Sequence, residues 1–324
     1  MSLTAAVSGF KQQIWSWLEG RLAPGTQVRY LRARQGFAEW QAQLGIRGEP
    51  LVPEHLDVLL AKYVLDTKED QDTVVSRQQC VDLVASTQRR AGHPCKLAQQ
   101  ILKAWSKEVP PVQAEAIPAP LAFAMVTTLA MVMKEPQAAV LVLLAFTGCL
   151  RIGEALSLRV QDVFLPRPGS GECQAVLILR ATKRSFDQRV VLENHRVVAA
   201  LKQYHELFAP RGRDLMFAGI TYSKFVRIFK KALAILQVPP GEWRTHSLRR
   251  GSATAMMEQG HSFEYVRLYG RWASESSCRE YIRLGQSALT RISGRIPQER
   301  WALYGVLGSA VDRAFSLSAS GVVG

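Results

Sequence analysis

The chain has 324 residues, of which 48% are hydrophobic and 21% charged. These values are ordinary for a globular protein with room for two hydrophobic cores, and they exclude a chain that cannot fold on its own. The formal net charge of +14 at pH 7 favours a polyanionic partner, most often nucleic acid and less often an anionic membrane surface. A basic surface that serves solubility alone explains the same composition.

The positive charge is unevenly distributed along the chain. Residues 1–108 contain 14 basic and 11 acidic residues, and the remainder contains 27 basic and 16 acidic residues. The net charge is therefore +3 in the first part and +11 in the second. We expect the C-terminal part to carry most of the attraction for a polyanion.

Cysteine usage and hydropathy bear on location and cofactors. The five cysteines form no Cys-x-x-Cys pair and no Cys/His metal spacing, which favours free thiols in a reducing, intracellular compartment, without a metal or other cofactor. Residues 1–11 lack the pattern of a signal peptide. The longest uncharged run, residues 116–133, contains Pro118 and Pro120 and ends at Lys134. A buried helix is expected there, and no membrane span.

Hydrophobic residues at helical spacings predict an all-helical N-terminal unit, residues 1–108. The helices are expected at residues 26–44, 53–65, 72–90 and 97–107. Residues 109–120 contain four prolines and little periodicity, which is typical of a linker between domains. The second domain is then residues 121–324.

The second domain is predicted to be helical around a small sheet. Helices are expected at residues 121–133, 137–147, 152–158, 194–208, 223–236, 248–259 and 298–315. Two short strands, residues 175–180 and 189–192, enclose a hairpin tip at 182–188. The predicted fold class is thus mainly α with a small β-sheet: a helical domain followed by an α+β domain.

Residues 244–281 combine side chains that a core helix does not require. His246 and Arg249 lie one helical turn apart, and Tyr281 follows Trp272 by nine residues. Cleavage of a phosphodiester needs a nucleophile, fixed positive donors for the nonbridging oxygens and a proton donor for the leaving oxygen. A tyrosine, an arginine and a histidine supply these groups, although a single His-x-x-Arg pair is more often a surface feature.

A second arginine strengthens this interpretation. Arg151 lies in the apolar stretch TGCLRIGEALSL, with Glu154 one turn later. A buried ion pair between the two is the simple explanation. The ion pair is compatible with a phosphate-binding role of Arg151, because Glu154 can orient the guanidinium while the other edge of the guanidinium binds a phosphate.

These motifs resemble those of the tyrosine recombinases of the phage integrase family, in which an Arg, a hairpin Lys, a His-x-x-Arg, a His or Trp and a Tyr occur in this order. The matching residues are Arg151 in TGCLRIGE, Lys183 in RATKRSF, His246 and Arg249 in THSLRRG, Trp272 in YGRW and Tyr281 in SCREYIRL. The N-terminal helix TQVRYLRARQGFAEW is similar, in pattern only, to the first helix of the family's core-binding domain.

The resemblance implies a site-specific recombinase or integrase that requires no metal and no ATP. Tyr281 would attack DNA to give a 3′-phosphotyrosyl link, while Arg151 and Arg249 stabilise the nonbridging oxygens. His246 would assist proton transfer or add a donor, Lys183 would protonate the departing 5′-oxygen, and Trp272 would donate its indole N–H. The implied partners are double-stranded DNA, clamped between the two domains, and further copies of the chain, from dimer to tetramer.

The chain departs from the family pattern at three places. Cys149 and Leu150 separate Thr-Gly from Arg151, where the family usually has one residue. Trp272 stands where His is commoner, and Lys183 lacks the usual Gly-Lys-Gly tip. The Leu-Arg-Arg-Gly and Leu-Arg-x-Gly-Glu forms resemble recombinases of eukaryotic mobile elements.

Several alternatives remain open from the sequence. A type IB topoisomerase shares this chemistry, and a DNA-binding remnant of a mobile element without catalysis shares the basic surface. Tyr265 and Tyr269 are nearby, but core packing is the expected use of both. The helix at 298–315 either packs on its own domain or docks on a neighbouring subunit. A nuclear location is expected in a eukaryote and a cytoplasmic one in a bacterium.

Overall fold

The computed structural model describes residues 3–46, 52–110, 113–167, 173–181, 186–208, 214–311 and 313–314. The chain divides into two compact units, Met1–Val112 and Gln113–Gly324. Each unit has its own hydrophobic core. Among the described residues, the architecture is fifteen α-helices and one three-stranded sheet, which confirms the predicted fold class.

The first unit is helical throughout its described residues. Its helices are α1 (Leu3–Gly20), α2 (Pro24–Gln43), α3 (Pro53–Asp70), α4 (Val74–Ala91) and α5 (Lys96–Glu108). Local sequence explains their ends: the Thr73 hydroxyl accepts a hydrogen bond from the Ser76 amide at the start of α4, and Gly92 ends that helix in the left-handed region. The sequence pattern predicted α2 to α5 but not α1.

The segment predicted as a linker, residues 109–120, lies partly within the second unit. The Glu115 amide donates to Glu242 O and the Ile117 amide to Ser247 O, at 3.0 and 3.1 Å. Ile117 is fully buried in the core of the second unit, and α6 begins at Ala119. The prolines therefore suppress helix formation here without making the whole segment solvent-exposed.

Two apolar helices form the centre of the second unit. These are α6 (Ala119–Thr127), which continues as one π-helical turn at Thr128–Val132, and α7 (Pro136–Thr147). All residues from 138 to 145 are completely buried, which explains the uninterrupted hydrophobic sequence. Within the described ranges, no helix has the length and apolar content that a membrane crossing requires.

The sheet is a small antiparallel layer with the order β1-β2-β3. The strands are β1 (Val163–Phe164), β2 (Ala175–Ala181) and β3 (Phe186–Leu192), with Leu177 opposite Val190. Leu177 and Leu179 face the core, whereas Arg180 is exposed, as the alternation of a half-buried strand requires. The tip between β2 and β3, residues 182–185, lies outside the described residues.

The remaining helices surround the centre and carry most of the candidate site. They are α8 (Ile152–Leu156), α9 (His195–Phe208), α10 (Tyr222–Ile235), α11 (His246–Glu258), α12 (Phe263–Tyr269), α13 (Glu275–Arg279), α14 (Leu284–Ile292) and α15 (Gln298–Ser309).

The C-terminal helix α15 packs on its own unit. The Tyr304 side chain is completely buried and its hydroxyl donates to Leu236 O at 2.9 Å. On the same side, the Thr127 hydroxyl of α6 donates to Leu307 O at 2.8 Å. Of the two arrangements left open by the sequence, this structure of a single chain shows intramolecular packing.

Candidate active site

The turn between α7 and α8 places Arg151 at the start of a helix. The Leu150 amide closes the end of α7 by donating to Ala145 O at 3.1 Å, and Cys149 adopts a left-handed conformation with φ of +48°. Leu150 is buried in the core. The additional residue between Gly148 and Arg151 is thus accommodated by one left-handed position, and Arg151 lies at the N-cap of α8.

Arg151 and Glu154 form the ion pair that the sequence suggested. The Arg151 amide donates to Glu154 Oε2 at 2.9 Å, and its guanidinium donates to Glu154 Oε1 at 2.5 Å. The Arg151 side chain remains 29% exposed, whereas that of Glu154 is buried. One edge of the guanidinium is therefore held by Glu154 while part of the group remains accessible.

Glu154 remains ionised because cations surround it. Burial alone would raise its pKa, but the hydrogen bond from the Arg151 amide and the charges of Arg271, Arg151 and Arg249 lower the pKa overall. Glu154 therefore acts as a common anion for three arginines that come from separate segments.

Arg249 lies one turn into α11 with only 1% of its side chain exposed. Its Nη1 donates to Cys149 O at 2.5 Å, its Nη2 donates to Gly270 O, and Nη1 lies 3.7 Å from Glu154 Oε2. Its Nε has no hydrogen-bond partner among the described residues. Arg249 thus connects α11 to the turn before α8, which contains Cys149, and to the turn after α12, which contains Gly270. The carboxylate of Glu154, which both arginines share, brings Arg249 close to Arg151.

His246 is the first residue of α11 and is exposed on the same side of that helix as Arg249. Its ring centroid lies 6.4 Å from that of Tyr281. Partial removal of water from the ring, followed by the nearby charges of Arg249, Arg151 and Arg250, lowers the pKa of His246 below its ordinary value. The imidazole is therefore neutral near pH 7 and able to accept a proton.

Trp272 forms a wall of the site. Its ring lies 4.6 Å from the Arg249 guanidinium carbon and 5.1 Å from the Tyr281 ring centroid. The residue is buried, and its indole N–H has no acceptor within the described part of the chain. Gly270 allows this packing, because a Cβ at that position would lie 1.6 Å from the indole ring.

Tyr281 follows the short helix α13, in a turn where its amide donates to Cys278 O at 2.9 Å. The ring contacts Trp272 and lies 5.6 Å from the Arg249 guanidinium carbon. Its hydroxyl has no hydrogen-bond partner among the described residues. The nucleophile predicted from the sequence is therefore held by its ring, with its oxygen unengaged.

These residues line a cleft of about 490 Å³ in the second unit. Its walls are formed by Arg151, His246, Arg271, Trp272, Ala273, Ser277, Glu280 and Tyr281. Arg249 lies behind the wall, covered by the Trp272 and Tyr281 rings. The cleft brings three distant segments together, and Tyr281 belongs to the same chain as the other groups.

Comparison with known proteins identifies the family. A sequence profile of the Phage integrase family matches residues 123–287, a range that contains all six predicted site residues. The chain belongs to this family. No curated protein sequence matches the chain.

Solved structures of recombinases have the same fold as this member of the phage integrase family. A lambda integrase dimer bound to a COC′ core site has a TM-score of 0.57 and 13% identity, with 88% of this chain and 96% of that chain covered. The XerH site-specific recombinase bound to a difH substrate scores 0.56 at 14% identity, covering 82% and 78%. The Tn1549 transposon integrase with transposon right end DNA scores 0.55 at 13% identity, covering 87% and 98%.

Two tyrosines near Tyr281 occupy different environments in this integrase-family chain. The Tyr269 hydroxyl donates to Thr147 O and Val191 O at 2.9 and 3.1 Å, and burial raises its pKa. Tyr265 stacks between the rings of His261 and Tyr269, and burial also raises its pKa. Neither lines the 490 Å³ cleft, so the geometry favours Tyr281 as the nucleophile.

The sequence interpretation missed one residue of the site, Arg271. Its guanidinium donates to Gly148 O, Cys149 O and Tyr269 O at 3.1 to 3.3 Å and to Glu154 Oε2 at 3.1 Å. Its backbone is left-handed, with φ of +60°. Its position beside Trp272 in YGRW was the available signal, but in that turn only the tryptophan matches the family pattern.

Of the six predicted site residues, the structure brings together Arg151, His246, Arg249, Trp272 and Tyr281, with Glu154 between the arginines. The sixth, Lys183, lies outside the described residues. Its hairpin strands, β2 and β3, have the predicted antiparallel pairing.

Proposed function

We propose that this member of the phage integrase family is a site-specific recombinase that cleaves and rejoins double-stranded DNA through a 3′-phosphotyrosyl intermediate. The observation that carries the proposal is the cleft lined by Tyr281, Arg151, His246 and Trp272, in which the Tyr281 hydroxyl has no hydrogen-bond partner among the described residues. A nucleophile, a cation and a proton acceptor are thus available around one phosphate.

In the proposed cleavage step, the Tyr281 oxygen bonds to phosphorus as the bond from phosphorus to the 5′-oxygen breaks. His246 is neutral near pH 7 because of its lowered pKa, and it accepts the phenolic proton. The leaving 5′-oxygen takes a proton from Lys183, a role that rests on the resemblance to the family. The net result is a tyrosyl phosphodiester and a free 5′-hydroxyl.

The arginines have different positions and therefore different proposed roles. Arg151 is partly exposed in the cleft and is oriented by Glu154, so it binds the nonbridging oxygens directly. Arg249 supplies positive potential from behind the rings of Trp272 and Tyr281, where only 1% of its side chain is exposed. Both charges are fixed before substrate arrives, which lowers the cost of reorganisation in the transition state.

Rejoining is the reverse of cleavage with a new 5′-hydroxyl as the nucleophile. The phosphotyrosyl link replaces one phosphodiester with another, so no separate energy source is needed for the strand to be resealed. Exchange of the attacking strand between the two steps converts cleavage into recombination.

The proposed partners are duplex DNA and further copies of the chain. The positive charge of the second unit, +11, supports binding to phosphates, and a related fold has been solved as a lambda integrase dimer on a core site. We propose assembly from dimer to tetramer on DNA, and an intracellular location: the nucleus in a eukaryote and the cytoplasm in a bacterium. The core-binding role of residues 1–108 is part of the same proposal.

Capture of nicked duplexes tests the proposed function. A nick just beyond the scissile phosphate lets the 5′-hydroxyl fragment diffuse away, so that the covalent complex accumulates on a denaturing gel. The wild-type chain should capture a subset of a random duplex pool, and Tyr281→Phe should bind the same duplexes without capturing them. Binding without capture by the wild type would indicate an inactive DNA-binding protein, and rapid supercoil relaxation by a monomer would indicate a topoisomerase.

A further inference from the structure

Arg250 points away from Arg249 although the two are adjacent in sequence. One residue along an α-helix turns the side chain by about 100°. Arg249 faces Glu154 and Trp272, whereas Arg250 faces the turn that carries Tyr281. The second arginine of the LRRG motif therefore contacts the ring of Tyr281 and not the carboxylate of Glu154.

The Arg250 guanidinium contacts the Tyr281 turn in two ways. Its Nη1 donates to the main-chain oxygen of Glu280 at 2.8 Å and to Gln113 Oε1 at 3.0 Å. Its central carbon lies 5.1 Å from the Tyr281 ring centroid, within the range of a cation–π interaction. Its Nε is buried and has no partner among the described residues.

The backbone around Tyr281 is fixed mainly from α11. The preceding helix α13 has only five residues, too few to hold the turn by itself. Arg250 binds the oxygen before Tyr281, and the Thr254 hydroxyl accepts from the Arg283 amide at 3.1 Å. These two contacts lie one helical turn apart on α11 and hold the tyrosine segment from both sides.

The phenolic oxygen must accommodate negative charge whenever its bond to phosphorus forms or breaks. On cleavage the oxygen loses its proton and bonds to phosphorus, and on rejoining that bond breaks before the proton returns. A cation next to the ring stabilises the negative charge that develops on the phenolic oxygen in the transition state of either step. Among the described residues, the other charged or titratable groups near the ring and Arg250 include Arg249 and His246 of α11, Arg151, Arg271, Glu280 and Arg283.

We propose that Arg250 is a positioning residue for Tyr281. Its hydrogen bond to Glu280 O fixes the turn, and its charge beside the ring stabilises the tyrosinate in cleavage and rejoining. This inference rests on the proposed function and assigns a role to a residue that lies outside the six recognised from the family pattern.

The test compares capture rates across pH for Arg250→Ala and Arg250→Lys. With a saturating nicked duplex, Arg250→Ala should capture about tenfold more slowly at neutral pH. The decline of its rate in acid should also begin at a higher pH than in the wild type, because the Arg250 charge helps to lower the pKa of His246. Arg250→Lys retains the charge but not the planar fork. It should keep the wild-type pH profile with a smaller loss of rate.

Arg279→Ala is the matched control. Arg279 lies two residues before Tyr281, is 69% exposed and pairs with Glu275 and the Phe263 ring, so its loss removes one charge without touching the nucleophile. Its pH profile should match the wild type.

Two results would overturn the role of Arg250. One is capture by Arg250→Ala with the rate and pH profile of the wild type. The other is an equal slowing of both Arg250 variants without any shift in profile, which would indicate a structural contact only. Failure of the wild type to capture any duplex would instead contradict the proposed function, so the two failures are distinguishable.

Discussion

At the scale of single residues, the site depends on main-chain oxygens being paired with arginines. Arg249 and Arg271 both donate to Cys149 O, and Arg271 also donates to Gly148 O and to Glu154. Cys149 and Arg271 are both left-handed, so two strained turns are held face to face by these bonds. The geometry of Arg151 follows from this pairing, since Arg151 directly continues the first turn.

Replacement of Arg271 tests this arrangement. Arg271→Ala leaves buried oxygens and the Glu154 carboxylate with fewer partners, and should lower the free energy of unfolding by about 3 kcal/mol. Chemical denaturation of the folded chain measures the loss. Arg279→Ala, an exposed arginine eight residues further on, should change it by less than about 0.5 kcal/mol. Equal effects of the two substitutions would contradict the role of Arg271.

Acid dependence tests the neutral state of His246. Because its pKa is lowered, the imidazole gains its proton only below its ordinary value of about 6.5. The capture rate of the wild type should therefore stay constant as pH falls to 6.5 and decline only below it. His246→Asn should capture slowly, and its rate should not show this decline in acid. A decline of the wild-type rate centred above pH 6.5 would contradict the assignment.

At this scale, sequence reasoning identified residue types but not their main-chain partners. Arg151, His246, Arg249, Trp272 and Tyr281 were recognised from the resemblance to the family's motifs, and the structure brings them together. Arg271 was missed because two of its partners are the main-chain oxygens of Gly148 and Cys149, more than 100 residues away in the sequence. Every residue has such an oxygen, so this pairing leaves no pattern in the sequence.

At the scale of elements, α11 organises the site. Its first turn supplies His246 and Arg249, and the following residues hold the Tyr281 turn through Arg250 and Thr254. Hydrophobic periodicity predicted this helix and most others, because burial of one face leaves a regular pattern. It could not predict that Cys149 and Arg271 adopt left-handed conformations, because each follows a glycine but is not itself one.

Gly270→Ala tests the contact between two elements of the site. The Gly270 backbone is in the ordinary α region, with φ of −75°, so alanine is allowed there. Its Cβ would nevertheless meet the Trp272 ring at 1.6 Å, and the ring must move. We expect a loss of about 1–3 kcal/mol of stability and a larger loss of capture than of DNA binding.

Gly285→Ala provides the control for that substitution. A Cβ at Gly285 meets nothing within 4 Å, and the residue lies near the start of α14. The change should leave capture intact and leave stability unchanged or slightly higher. An equally mild effect at Gly270 would show that Trp272 is not held where the structure places it.

At the scale of the whole molecule, the chain has two units with separate cores, and the second contains all the described candidate site residues. The sequence predicted the order of helices and the hairpin well, because each unit has its own periodic pattern. The prolines and lack of periodicity of residues 109–120 indicated a linker, and in the structure Glu115 and Ile117 of this segment pair with the main chain of the second unit. Such long-range pairing is not encoded in local composition.

The most direct measurement of the central claim is the identity of the amino acid linked to DNA. Trypsin cuts after Arg267, Arg271, Arg279 and Arg283, so Tyr265, Tyr269 and Tyr281 fall in three different peptides. After capture of a nicked duplex, nuclease and trypsin digestion followed by mass spectrometry should find a nucleotide, joined through its 3′-phosphate, on the peptide from Glu280 to Arg283. Attachment to the peptide of Tyr265 or Tyr269, or to a residue other than tyrosine, would contradict the account.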